Sequence, residues 1–261
     1  MLLYTASNMN KQGKLVHGFF TKINKAKNRI YKSSKCNADS VDTLKDVVDN
    51  NKIICNTLGF AYEDLKTLNQ VHSASVITIY NKAEITSNIQ ADALITSVPN
   101  ILLGVKTADC VPILFFDIEN KIIAAAHAGW KGALAGIIEN TILAMKNIGA
   151  DISTIVTSIG PCIQQKSYEV SQDFHNKFTE NNIANSQFFI PSRRTAHHMF
   201  NLPGYCVNRL KKNGIQNIDN LGIDTYSNPA TLFSFRRATH KNKNLGAEVK
   251  YGKQLSIIGM L

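Results

Sequence analysis

Val111-Pro-Ile-Leu-Phe-Phe116, then Asp117-Ile-Glu-Asn120, then Lys121-Ile-Ile-Ala-Ala-Ala-His-Ala-Gly-Trp-Lys-Gly132, is the stretch on which the reading of this chain turns. Two continuous apolar runs flank a short polar turn. That pattern predicts a buried pair of strands over 111–116 and 121–126. His127 stands at the end of the second run, where a strand gives way to a glycine-punctuated turn and then a helix. A histidine at such a boundary suits projection of a ring nitrogen into a site better than core filling.

Outward from this hairpin, further strands are expected over 16–21, 76–80, 101–105, 152–159, 233–237 and 254–258. Residues 24–39 are polar and lysine-rich and read as a long loop. Ser40 reads as an N-cap, with Val41, Leu44, Val47, Val48, Ile54, Cys55 and Leu58 at helical spacing and Gly59 closing the helix. After Gly132, the residues Leu134, Ile137, Ile138, Ile142, Met145 and Ile148 trace one face of a helix that ends at Gly149. Val170, Phe174 and Phe178 predict another helix, as does 206–210. Hairpins mixed with strand–helix units argue for an α+β fold with mixed β-sheets. No linker or solenoid repeat divides the chain, so residues 1–261 are expected to form one domain.

Hydrophobic residues make up 44% and charged residues 18% of the 261 residues, the balance of a globular protein. No apolar run has the roughly 18 residues of a membrane span, and no signal peptide is read at the N-terminus. Five cysteines, Cys36, Cys55, Cys110, Cys162 and Cys206, are an odd count at irregular spacing, which favours reduced thiols and a cytoplasmic location. The formal charge is +10, but the lysines are scattered rather than clustered. They read as a solvated surface able to attract small anions, not as a nucleic-acid interface.

Two other segments share the design around His127. Asn69-Gln-Val-His72 offers a second imidazole. Lys106-Thr-Ala-Asp-Cys110 offers a thiol directly before the apolar run. Two imidazoles and a thiolate are the ligand types that zinc prefers. His72, Cys110 and His127 are 38 and 17 residues apart, which is not zinc-finger spacing, so the fold must assemble the site. Three protein ligands leave a fourth position open, as in catalytic zinc sites. The competing description of Cys110 is an uncoordinated nucleophile with a histidine base, giving a thiol hydrolase. Asp109 is either an orienting hydrogen-bond acceptor or a turn stabiliser. Cys162 is expected to pack or to serve a turn. Gly129 and Gly132 admit backbone amides close to a ligand. Trp130 could stack on a planar ligand or cap the core. Arg236 and Arg237 could bind phosphate, with one of them pairing instead with an acidic residue. His197 and His198 are adjacent and point apart, which argues against a metal pair.

Gln70-Val-His72, Ala91-Asp-Ala-Leu-Ile-Thr96, Thr107-Ala-Asp-Cys-Val-Pro112, His127-Ala-Gly-Trp130 with Gly132, Ile159-Gly-Pro-Cys162 and Phe233-Ser-Phe-Arg-Arg237 occur in one order. Together they resemble the YfiH family, also called laccase domain-containing proteins or multicopper polyphenol oxidases. The resemblance implies mixed sheets packed between helical layers. It implies a purine nucleoside phosphorylase acting on adenosine, inosine and S-methyl-5′-thioadenosine, with adenosine deaminase activity. It implies zinc on His72, Cys110 and His127, with Asp109 beside them among the catalytic residues. Lys22, Gln70, Trp130, Arg236 and Arg237 become candidate ligands of nucleoside and phosphate, in a monomer or homodimer. The family's older label implies a copper-dependent polyphenol oxidase, but no His-x-His pair is present for a multicopper site. The chain departs from the family pattern at Lys22, where arginine is usual, in the glycine-free loop 23–40, at Ser73 for glycine and at Asp224 for cysteine.

Overall fold

The computed structural model describes residues 3–10, 13–22, 44–84, 86–242, 249 and 251–261. In chain order the elements are β1 (Leu3–Tyr4), β2 (Leu15–Phe20), α1 (Leu44–Thr57), β3 (Leu65–Lys66), β4 (Val76–Ile79), β5 (Ala93–Thr96), β6 (Ile101–Thr107), β7 (Val111–Asp117), β8 (Ile122–Ala128), α2 (Trp130–Ala135), α3 (Ile137–Asn147), β9 (Ile155–Ile159), β10 (Glu169–Ser171), α4 (Gln172–Asn181), β11 (Phe189–Pro191), β12 (His197–Phe200), α5 (Leu202–Lys212), β13 (Asn217–Asn220), α6 (Phe235–Asn242) and β14 (Gln254–Met260). Three sheets result. Their strand orders are β1-β2-β14-β6-β3, β13-β9-β7-β8-β5-β4 and β10-β12-β11. Parallel pairs β13/β9, β4/β5 and β3/β6 sit at sheet edges around antiparallel centres, so the two large sheets are mixed.

The predicted hairpin is the centre of the six-stranded sheet: β7 pairs with β8 from Val111 opposite Ala128 to Asp117 opposite Ile122. Its strands are buried throughout because both faces are covered. Strand alternation then sorts the side chains. Ile113, Phe115, Ala124 and Ala126 face a layer containing Ile138 and Met145 of α3 and Tyr205 and Leu210 of α5. Leu114, Phe116, Ile123 and Ala125 face the five-stranded sheet, meeting Phe19, Leu103 and Ile258. The far face of that second sheet, with Phe20, Leu102 and Ile257, is covered by Ile54 and Cys55 of α1. The protein is therefore an α+β fold of two mixed sheets packed between helical layers. Among the described residues no helix is long and apolar enough to cross a membrane.

Three expectations change or fall outside the described residues. The helix expected to run unbroken to Gly149 is two helices, because Gly136 takes φ +98° and ends α2 with its N–H on the Gly132 carbonyl. The strand expected over 233–237 is instead the start of α6. Ser234 accepts the Arg237 N–H on its hydroxyl and the Ala238 N–H on its carbonyl, which turns the chain into a helix. His127 is the penultimate residue of β8, at the strand's end as expected, and is buried. The loop at 24–39, the Ser40 cap and Val41 lie outside the described residues, whereas Gly59, at φ +81°, follows α1 as expected.

Gly160 shows how closely the two sheets approach. A Cβ at this position would lie 2.1 Å from Cδ1 of Phe19, a fully buried side chain of the facing sheet. Gly160→Ala should therefore overpack the layer and lower unfolding free energy by about 1–3 kcal/mol in urea titration. Adding Phe19→Leu should recover part of that loss, so the double variant should fall short of the sum of the singles. An additive pair would show that this contact does not set the spacing of the sheets.

Candidate metal centre and cleft

The three candidate ligands come together. A ring nitrogen of His72, Sγ of Cys110 and a ring nitrogen of His127 all lie within 4.8 Å of one another, and the two rings meet edge to face at 4.7 Å. Each arrives by a different route. His127 is carried by β8 on the side-chain parity of Ile123 and Ala125, the face between the sheets. Cys110 sits in the tight turn between β6 and β7. His72 comes from the loop between β3 and β4. Two residues of these turns adopt left-handed backbone, His72 at φ 61° and Asp109 at φ 94°. Such conformations cost about 1–3 kcal/mol each and persist only where surrounding contacts enforce them.

Asp92 supplies those contacts, and the sequence reading assigned it no role. It is fully buried at the start of β5. Its carboxylate accepts the backbone N–H groups of Val71, His72 and Ser73 and the Ser73 hydroxyl, and it lies 2.8 Å from His127 Nδ1. A carboxylate accepts only, so Nδ1 carries the proton and Nε2 offers its lone pair to a metal. Burial works against the ionised carboxyl, but hydrogen bonds from His127 and Ser73 outweigh it and hold its pKa at about 2. Ser73, which departs from the family's glycine, adds one of these bonds.

Burial raises the pKa of the Cys110 thiol, but the charge on His127 and hydrogen bonds from both rings bring it below the usual value. Burial lowers His127 likewise, and Cys110 and Asp92 reverse that and raise it. The pair tends toward thiolate and imidazolium, the polarity that a divalent cation replaces when it displaces the ring proton. Gly129 leaves the room this requires: a Cβ there would lie 2.5 Å from His72 Nδ1 and 3.1 Å from Cys110 Sγ. The donor set, two imidazoles and a thiolate with space at one side, fits zinc.

The three ligands open onto a cavity of about 370 Å3 whose wall includes Gln70, Lys106, Asp109, Trp130, Tyr168, Phe235, Arg236, Tyr251 and Lys253. Gln70 is tied to the Lys106 backbone in both directions, its amide donating to the carbonyl and its oxygen accepting the N–H, each at 2.8 Å. It fixes this wall. Trp130 lines the cavity and packs against Phe174 at 4.8 Å. Asp109 is buried and accepts the Arg236 backbone N–H at 2.7 Å and the Thr225 hydroxyl at 2.6 Å. It thereby anchors the start of α6, and burial raises its carboxyl pKa despite these bonds. Arg236 lies over Tyr168 at 5.2 Å and donates to the Glu169 carbonyl.

Lys22 and Arg237 do not line this cavity. Lys22 donates to the Pro229 carbonyl, and Arg237 donates to the carbonyls of Thr225, Tyr226 and Leu232. One of the two arginines was expected to pair with an acidic residue; Arg237 is instead held by backbone carbonyls. Cys162 packs in the core, and His198 stacks on His175 at 4.4 Å, away from the metal ligands. Asp224, where the family has cysteine, accepts from Ser167 Oγ and the Gln164 and Tyr226 N–H groups.

Comparison with known proteins agrees with this fold. The family model described as multi-copper polyphenol oxidoreductase laccase matches residues 16–261, and the chain belongs to this family. It is 40% identical over 195 residues to a purine nucleoside phosphorylase of Rickettsia conorii, covering 75% of this chain and 79% of the relative. It is 39% identical over 140 residues to a purine nucleoside phosphorylase of Deinococcus radiodurans, 54% of each chain. The crystal structure of a Neisseria meningitidis protein, NMB0706, superposes with a TM-score of 0.81 at 26% identity, covering 99% of this chain and 98% of that one. That of Bacillus licheniformis YfiH has a TM-score of 0.83 at 24% identity, covering 96% and 94%, and shares the fold.

Gly129→Ala should crowd two ligands at once. Asp92→Asn should loosen the ring of His127 and the His72 turn. Each should weaken metal affinity by about 10–100-fold, read by competition with a chromogenic chelator, while the fold is retained by circular dichroism. Unchanged affinity in both would remove these residues from the support of the site. The Asp92 carboxyl also links stability to pH. Its folded pKa lies below the unfolded one, so its contribution, about 2 kcal/mol, is full above pH 4 and is lost as pH falls toward 2. Urea titrations of metal-free Asp92→Asn should lack this segment of the acid dependence.

Proposed function

We propose that this chain is a zinc-dependent purine nucleoside phosphorylase that also deaminates adenosine. The observation that carries the reading is the open His72–Cys110–His127 cluster on an aromatic, cation-walled cavity, in a chain whose relatives bear the name purine nucleoside phosphorylase. His72, Cys110 and His127 would hold the zinc, which would supply Lewis acidity to a ligand in the cavity. The remaining work belongs to the protein. Trp130 and Tyr168 offer faces on which a purine can stack. Lys106, Arg236 and Lys253 give the cavity wall positive charge, which draws phosphate toward it and opposes its escape. Asp92 keeps His127 in one tautomer through turnover, and Asp109 sets Arg236 against the cavity by holding the start of α6.

The family's description favours a second metal. Two imidazoles and a thiolate are also the equatorial set of a blue-copper site. Such a site adds a weak axial methionine, and no methionine lines the cavity among the described residues. A multicopper oxidase needs further histidines, and the described residues form one metal-binding group. These features favour the nucleoside reading over phenol oxidation. A thiol hydrolase would use Cys110 and His127 uncoordinated, whereas the crowding of three donors around one point favours coordination.

Base release from inosine should depend on phosphate and yield ribose 1-phosphate. Free ribose appearing at the same rate in phosphate-free buffer would contradict phosphorolysis. Adenosine should give inosine with or without phosphate. Cys110→Ala should lower both rates by at least 100-fold, and oxidation of a phenol under added copper should stay at the level of the copper salt alone.

A further inference from the structure

Trp130, Tyr168 and Arg236 line the cavity beside the metal ligands and also a second cavity of about 350 Å3. The two adjoin at these three side chains, as an inner and an outer lobe. The outer lobe has a different chemistry. Arg194, His197, Arg236 and His240 line it, against a single carboxylate, Glu169. Glu169 has one oxygen engaged by the Ser192 hydroxyl at 2.5 Å. His197 donates Nδ1–H to the Thr195 carbonyl at 2.9 Å, which settles its ring orientation. Arg236 is held at three points: its backbone N–H on Asp109, its guanidinium over Tyr168 and one Nη on the Glu169 carbonyl. A guanidinium fixed in this way loses little entropy on meeting an anion and offers paired donors to tetrahedral oxygens.

Of the three cations expected to hold phosphate, Lys22, Arg236 and Arg237, Lys22 and Arg237 donate to backbone carbonyls elsewhere. The positive side chains that face the cleft away from the metal are Arg194 and Arg236. We propose that the outer lobe is a phosphate-binding subsite, in which Arg194 and Arg236 clamp a phosphate dianion. This deepens the nucleoside reading above and rests on it for what the phosphate meets in the inner lobe. The dianion has two possible sources of the same chemistry. It is either the inorganic phosphate consumed in phosphorolysis or the 5′-phosphate of a nucleotide whose base and ribose lie inward.

Equilibrium binding to the protein as purified, by titration calorimetry with inorganic phosphate and separately with adenosine 5′-monophosphate, tests the subsite without requiring turnover. Arg194→Gln is compared with Arg193→Gln, an exposed neighbour of equal charge that does not line the lobe. Arg194→Gln should weaken at least one of the two ligands tenfold or more, and Arg193→Gln should weaken neither by more than twofold. Loss of inorganic phosphate binding identifies the co-substrate as the occupant. Loss confined to the monophosphate identifies the ester. Equal effects of the two variants, or no binding of either ligand to the unaltered protein, overturn the proposal. Phosphate binding that depends on Arg194 in a protein inactive on inosine would sustain the subsite while removing the phosphorylase reading.

Discussion

The site depends on one buried carboxylate. Asp92 stands at the first turn into β5, fully removed from water, and a charge so placed persists only if hydrogen bonds replace its hydration. It receives them from three consecutive backbone amides of the His72 loop, from Ser73 and from His127. Two of the three ligand-bearing segments are thus drawn to the same anion. The left-handed backbone at His72 is held there by the amide bonds on either side of it. The third segment is bound through the sheet, because Cys110 precedes β7 directly and β7 pairs with the strand that carries His127. This scaffold should stand without a metal, since its geometry is written in protein–protein bonds.

The layers explain why the site lies where it does. Two sheets packed face to face fill the space between them with Phe19, Leu103, Phe116 and Ile123. His127 belongs to that same face by parity, but it comes at the end of β8, where the apolar filling stops and the cavity begins. The glycines that follow matter for what they lack. At Gly129 a methyl group would fall on two ligands, and at Gly132 it would fall 2.7 Å from the Ser73 carbonyl. Asp109 performs for α6 what Asp92 performs for the His72 loop: one acceptor gathers donors from distant segments and so places Arg236.

Much of this was legible in the sequence. The hairpin at 111–126 announced itself by unbroken apolar runs, and the ligand triple by residue types placed beside such runs. What escaped notice did so for physical reasons. Asp92 lies inside the Ala91–Thr96 motif, and the donors that define its role come from segments distant in sequence, although a charge opening an apolar strand is itself a sign of a buried partner. Lys106, at the end of β6, carried the same sign. Tyr168, Tyr251 and Lys253 reach the cavity from segments with no local pattern, which only the tertiary fold brings together. The segment at 233–237 was misread as a strand because its aromatic alternation imitates one, while the determining bonds come from Ser234 and from Asp109 far away in sequence. Lys22 and Arg237 were expected at the anion site because charge is visible in a sequence, whereas the carbonyls that engage them are not.

The account's central claim is that His72, Cys110 and His127 hold one zinc ion whose fourth position faces the cleft. X-ray absorption at the metal edge, on protein purified without added metal, addresses it most directly. The expected spectrum is that of zinc with one sulfur at about 2.3 Å and two imidazole nitrogens at about 2.0–2.1 Å, completed by one light atom. Copper at the edge, a sphere without sulfur, or two or more sulfurs per metal would contradict it.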